Sequence, residues 1–407
     1  MKCENMMTTT DFPASRTRPE GKYSNSDIVL ARACGLEDPL CSEEPPMRKY
    51  PYTISIVIQD TCVRVQTNSK AYIDYLGKIF EASAGGDTHP PMDVYLDSQE
   101  SLYRVIKPHD FGDLQRFLRI GRRIWVNEDE LIWSENERVP GLKLHYRYEP
   151  KQELHAFHNL TSSSYFIKRV YDQVVNADRH RRHRHDIFEG MTYYLVYYPI
   201  LFDLGKRNVF PLHASAVTYR GKGLLIPGLP GVGKSTLSLA LLSHEGSRFL
   251  SDNIVLYDGQ KVYSFLEPIK LDENSIGLLP DKGGKLEDLD MGSYYGRSSY
   301  RVRQTKRVHE MKPEVLIIPC RGQENELVEI SSDKAVQLSL DFNTIAGEIR
   351  SYLEYSSVQN MFFRKEGVGE ARTRELHDLI HDLKCYVLVM RSGSRLQDVM
   401  KLIDRAL

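Results

Sequence analysis

Gly228-Leu229-Pro230-Gly231-Val232-Gly233-Lys234-Ser235-Thr236 is the stretch from which the rest of this 407-residue chain is read. It follows an apolar run over residues 223–227 (GLLIP) and opens into another over residues 237–242 (LSLALL), so the order is strand, loop, helix. The spacing is G-x-x-x-x-G-K-[ST]. Glycines at these positions let the backbone wrap close to an anion, and successive N–H groups and the positive end of the following helix then face it together. Lys234 adds a point charge, and Ser235 and Thr236 add hydroxyls at the start of the helix. The stretch predicts a phosphate cradle built from Gly228, Gly231, Val232, Gly233, Lys234, Ser235 and Thr236, holding a nucleoside triphosphate with Mg2+ on Ser235.

Two flanking features extend the cradle into a constellation. Pro211-Leu212-His213-Ala214-Ser215-Ala216-Val217 runs into the turn Arg220-Gly221-Lys222-Gly223. If the strands on either side of the turn pair, His213 returns to the loop. It is then either a group at the phosphates or a histidine satisfied within a strand. Downstream, Phe249-Leu250-Ser251-Asp252-Asn253 is a short apolar strand ending in a carboxylate. Asp252 there reaches the metal or an attacking hydroxyl, or it caps a turn, as Asp and Asn commonly do. Arg301, Arg303, Lys306 and Arg307 form a basic loop, read either as a solvated face or as a cover over phosphates or an acidic peptide.

The sequence from His213 to Val217, the loop ending Gly233-Lys234-Ser235-Thr236, and Leu250 to Asn253 together resemble the catalytic domain of HPr kinase/phosphorylase and related bacterial serine kinases. The likeness is good over residues 205–272, including Glu267-Pro268-Ile269-Lys270-Leu271, and holds in outline to Leu407. It implies a fold akin to phosphoenolpyruvate carboxykinase, ATP and Mg2+ as cofactors, a serine hydroxyl on a protein or peptide as acceptor, and assembly as a homo-oligomer. Position by position, His213 matches the active-site histidine. Lys234 and Ser235 match the phosphate and metal residues, and Asp252 matches the first of the family's paired aspartates and is a metal ligand and the best base. Asn253 is the departure, because an amide cannot take a proton as a carboxylate does. One-way transfer follows from that loss. Asn253, Glu267, Arg301 and Arg303 are further phosphate or substrate contacts. Chains of this length with an unfamiliar front half are similar to the kinases that phosphorylate the carboxy-terminal serine of lasso-peptide precursors. Two rival readings stand beside this one: a nucleotide-responsive binding module without transfer, and a kinase for free serine or a related metabolite.

The remaining sequence sets the frame. The expected architecture is α/β: a P-loop kinase domain with a mixed sheet over residues 209–407, plus a small amino-terminal α+β domain over 48–150 for recognition or oligomer contact. Residues 151–208 are read as linker and packing helices, and 1–47 as a mobile arm rich in Thr, Ser, Pro and charge. Arg179 to His185 is a run of seven basic or titratable residues without the aromatic pattern of a nucleic-acid surface. A formal charge of −1 gives no reason to expect nucleic acid or an acidic membrane as partner. Residues 187–205 read as an apolar, tyrosine-rich helix kinked by Pro199, with its apolar stretch too short for a membrane span. Cys3, Cys34, Cys41, Cys62, Cys320 and Cys385 show no C-x-x-C spacing and read as reduced thiols of a cytoplasmic protein.

Overall fold

The computed structural model describes residues 50–80, 92–99, 117–120, 123–134, 139, 141–148, 151–159, 177–279, 284–292, 296–363 and 367–407. The arm expected over residues 1–47 lies outside them, and the described residues fall within one unit, Pro46–Leu407.

Alternating apolar residues place β1 (Tyr52–Ile58) and β2 (Thr61–Thr67) in register from Tyr52↔Thr67 to Ile58↔Thr61. Ser69 caps α1 (Lys70–Ile79) by accepting from the Tyr72 N–H. Then come β3 (Met92–Gln99), β4 (Leu118–Arg119), β5 (Ile124–Val126), β6 (Glu130–Trp133), β7 (Leu142–Arg147) and β8 (Glu153–Asn159). A tight turn joins β5 to β6, where Asn127 Oδ1 accepts from the N–H groups of Asp129 and Glu130. These strands form one sheet in the order β1-β2-β3-β8-β7-β6-β5-β4. Strand β8 carries this sheet past residue 150 into the stretch read as linker, because its backbone pairs with both β3 and β7.

The basic run over 179–185 lies in a helix, α2 (Ala177–Thr192). A widened π turn, Tyr193–Tyr197, joins it to α3 (Tyr198–Gly205). Pro199 has no N–H to donate one turn back, and the widened turn just before it absorbs that missing bond, so the irregularity precedes the proline. The tyrosines of this segment pack into one apolar cluster with Ile56, Val94 and Leu144 of the eight-stranded sheet and with Leu256, Phe265 and Tyr355 from later in the chain. The amino-terminal sheet therefore shares its core with the carboxy-terminal half of the chain.

The site is positioned by two smaller sheets. Strands β9 (Phe210–Leu212), β10 (Ala214–Tyr219), β11 (Lys222–Pro227), β12 (Arg248–Ser251), β13 (Val255–Tyr257) and β14 (Val262–Ser264) succeed one another, with α4 (Lys234–Leu242) after β11 and α5 (Glu273–Gly277) after β15 (Ile269–Asp272). Next are β16 (Leu286–Asp288), β17 (Arg297–Val302), β18 (Glu310–Met311), β19 (Val315–Gly322) and β20 (Glu326–Ile330). Helices α6 (Ser332–Ile345), α7 (Gly347–Phe363) and α8 (Val368–Ile380), strand β21 (Lys384–Arg391) and α9 (Leu396–Ala406) complete the chain. A six-stranded sheet runs β12-β10-β11-β19-β21-β20, and a four-stranded sheet runs β18-β14-β13-β9. In the first, β11, β19 and β21 are parallel neighbours while β10, β12 and β20 pair antiparallel, a mixed sheet as expected.

The stretch 212–219 reads as one strand but is two, belonging to different sheets, with His213 between them. Asn343 of α6 takes the place of a ladder partner there: its Oδ1 accepts from the His213 N–H (2.8 Å) and its Nδ2 donates to Pro211 O (3.3 Å). The chain changes sheet a second time at residues 252–254, between β12 and β13, and Asn253 takes a left-handed conformation (φ 66°) to do so. The described cysteines, Cys62, Cys320 and Cys385, are free thiols. Among the described residues no helix is long and apolar enough to cross a membrane.

Candidate nucleotide and phosphoryl-transfer site

Three strand ends meet at one edge of the six-stranded sheet. The β10–β11 hairpin is in register from Tyr219↔Lys222 to Ala214↔Pro227. Its tip, Arg220-Gly221, has positive φ at both residues (52° and 82°), the geometry that matches strand twist in a two-residue turn. The base of the hairpin therefore sets His213 beside Gly228. On the other side of β10, Ala216 faces Ser251, so β12 delivers Asp252 to the same edge. Ser215 Oγ donates to Asp252 Oδ1 and ties the two sheet-switching corners together.

The loop is shaped for close approach. Gly231 (φ 79°) and Gly233 (φ 101°) occupy backbone conformations that favour glycine, and Gly233 is the N-cap of α4. A Cβ on Gly228 would stand 3.3 Å from Val232 Cγ2 and 3.5 Å from Lys234 Cδ. Behind the loop, Leu237, Leu239, Leu241 and Leu242 of α4 are buried against Val217, Leu224 and Ile226. Each buried leucine contributes about 2 kcal/mol, so the helix start is held by its own apolar residues.

Lys234 is buried and makes three contacts of 2.9 Å, to His213 Nε2, Gly228 O and Leu229 O. Burial lowers its pKa to about 8, against the favourable charges of Asp252 and Glu348. An ammonium has three donors and no acceptor, so His213 Nε2 accepts here and the ring proton belongs on Nδ1. Burial, and then the Lys234 charge, push His213 down to about 3, with the Asn253 backbone acting in the opposite sense. His213 is thus a neutral imidazole joined to Lys234 through Nε2, with the Asn253 backbone beside its other ring nitrogen. The structure joins the two at the corner between β9 and β10.

Asn253 Nδ2 donates to Glu267 Oε2 (2.9 Å), and Tyr193 OH donates to Glu267 Oε1. Burial raises the Glu267 pKa to about 7, the Glu348 charge adds to the rise, and Tyr193, Asn253 and Lys270 oppose it. A cavity of about 20 Å³ adjoins Glu267, shared with Tyr75, His185, Glu189 and Lys270. That is room for one water. Glu348, in the first turn of α7, acts on both Lys234 and Glu267 and comes from a helix to which no motif points.

The basic loop sits elsewhere. Arg301 Nη2 donates to Lys78 O (2.6 Å) and Ile79 O (2.7 Å), satisfying the last carbonyls of α1. A guanidinium is drawn to such a helix end by its unpaired carbonyls and its negative dipole, which corrects the expectation that Arg301 covers phosphates. Arg303 is exposed at the start of a short 3-10 turn, Gln304–Lys306, and Arg307 lines a separate cleft of about 590 Å³ with Gln59, Arg207 and His309.

A nucleotide and Mg2+ fit what is present: a cradle in which a side chain at Gly228 would press on Val232, a buried cation, a hydroxyl at Ser235 and a carboxylate at Asp252. Among the described residues no group of three His, Cys, Asp or Glu side chains is arranged to hold a metal. Mg2+ characteristically takes one or two protein ligands and completes its shell with phosphates and water. No family model and no curated protein matches the chain. Among solved structures it is similar to the HPr(Ser) kinase/phosphatase from Coxiella burnetii, at 11% identity and a TM-score of 0.24, over 48% of this chain and 94% of that one. A likeness so slight leaves the functional reading to the site's own residues.

Proposed function

We propose that this chain is an ATP- and Mg2+-dependent kinase that moves the γ-phosphoryl group to a serine hydroxyl of a peptide or small protein. The observation that carries the reading is the convergence of His213, Lys234 and Asp252 from three strand ends onto the mouth of the glycine loop. Bound ATP supplies the phosphoryl group and Mg2+ the counter-charge. The loop N–H groups would hold the outer phosphates with the Lys234 charge beside them, and Ser235 and Asp252 would hold Mg2+. Neutral His213 fixes the position of the Lys234 ammonium through Nε2. Asp252 would take the proton as the acceptor O–H bond breaks and the new O–P bond forms, while the old bond from the γ-phosphorus to its bridging oxygen breaks and that oxygen leaves with its electron pair on ADP. The carboxy-terminal serine of a lasso-peptide precursor is the first acceptor to try. Cytoplasmic location and homo-oligomeric assembly belong to the same proposal.

The test is transfer from labelled ATP with Mg2+ to synthetic peptides ending in serine, with free serine as a parallel acceptor. Asp252→Asn should lose at least about 100-fold in transfer, within the range of general-base catalysis, while calorimetry shows nucleotide binding retained. Labelled serine in place of peptide supports the metabolite kinase. Nucleotide binding without transfer to either acceptor supports the binding module, which Asn253 favours by removing one acidic group from the site.

A further inference from the structure

Strand β19 brings an arginine to the glycine loop from nearly ninety residues downstream. Arg321 Nη2 lies 3.8 Å from the point where a Cβ on Gly233 would stand, at the first turn of α4. The neighbouring strand adds Met390, paired with Arg321 in register, whose Cε lies 3.9 Å from the same point. The strand end that carries it packs closely: a Cβ on Gly322 would stand 2.3 Å from Val389 Cγ1, so the backbone at the end of β19 is pressed onto β21. Arg321 is exposed and makes no ion pair or side-chain hydrogen bond among the described residues. Lys234, by contrast, has all three donors engaged by His213, Gly228 O and Leu229 O. Of the two cations at the mouth of the loop, the one with its donors free is Arg321. It stands at the carboxyl ends of parallel strands β11, β19 and β21, the edge at which open α/β sheets take ligands.

We propose that Arg321 grips the outer phosphates of the nucleotide, its fork of N–H donors meeting phosphate oxygens held at the start of α4. A planar guanidinium suits that contact because it donates to two oxygens at once, which an ammonium cannot do with the same geometry. Arg321 then distinguishes a triphosphate from a monophosphate. The inference rests on the nucleotide-binding part of the kinase reading and is independent of the acceptor.

Calorimetry on the full chain with Mg2+ tests it, using a non-hydrolysable ATP analogue and AMP as probes. Arg321→Ala should weaken the analogue about 10- to 100-fold, the range for lost hydrogen bonds to a charged group, and leave AMP unchanged. Arg321→Lys should recover part of the loss, and Arg321→Gln, which keeps length and polarity, should behave as the alanine variant does. Unfolding curves without nucleotide should superimpose for all four proteins. Equal binding of the analogue by the wild type and Arg321→Ala overturns the role of Arg321 and leaves the kinase reading standing. Equal weakening of AMP and analogue overturns it too, since that pattern marks a general distortion. A wild-type chain that binds neither probe overturns both readings together.

Discussion

Glu267→Gln should make the protein more stable at high pH and not at low pH. Glu267 has its pKa raised from an ordinary 4.5 to about 7, first by burial and then by Glu348. A group raised on folding favours the native state fully below its unfolded pKa and loses that advantage as pH climbs through the folded one. The interval from 4.5 to about 7, at about 1.4 kcal/mol per unit, amounts to about 3 kcal/mol. Glutamine never ionises. Its single carbonyl meets only one of the two donors, Tyr193 OH and Asn253 Nδ2, at a cost of about 1–3 kcal/mol. That cost is the same at every pH, so it shifts the difference without changing its slope. Urea unfolding of both proteins at half-unit steps from pH 5 to 8 reads the result. The stability of the variant relative to wild type should rise by about 1–1.4 kcal/mol per unit and level off above pH 7. His213, shifted the other way, is common to both chains and cancels. A flat difference across the range refutes the assignment of a native carboxyl titrating near neutrality.

Nucleotide affinity should fall as pH rises through about 8, where Lys234 loses its charge, while Lys234→Met binds weakly with no such fall; calorimetry from pH 7 to 9.5 reads both. His213, held neutral down to about 3, should contribute no titration near 6.5, so His213→Gln should slow transfer without changing the shape of the rate profile between pH 5.5 and 7.5. Gly223→Ala should destabilise by about 1–3 kcal/mol in chemical unfolding, because its Cβ would stand 2.4 Å from Lys312 O.

What could be read from the sequence was what is contiguous or paired nearby. The glycine loop, the hairpin that returns His213 to it, and the position of Asp252 after a short strand all depend on residues within a few turns of one another. The change of sheet at His213 was hidden, because residues 212–219 hold no glycine or proline to mark a break, and only the amide of Asn343, 130 residues away, interrupts the ladder. Glu348 and Arg321 carry no local signature; tertiary packing alone brings them to the loop. Arg301 misled for the same reason in reverse, since the helix end it satisfies lies more than 220 residues upstream. Asn253 was visible as a lost charge, but its bond to Glu267 was not, because the two are fourteen residues apart in a segment without periodicity.

The two-residue tip at Arg220-Gly221 has a practical use. It lies at the far end of the hairpin from the site, and both residues face solvent. Matched additions there, one residue to each arm, would lengthen the ribbon and leave the pairing at its root untouched, so a fluorophore or affinity handle spliced into the tip should report on the protein without disturbing its chemistry. A single unmatched residue near the root would instead turn every later side chain of that arm to the opposite face.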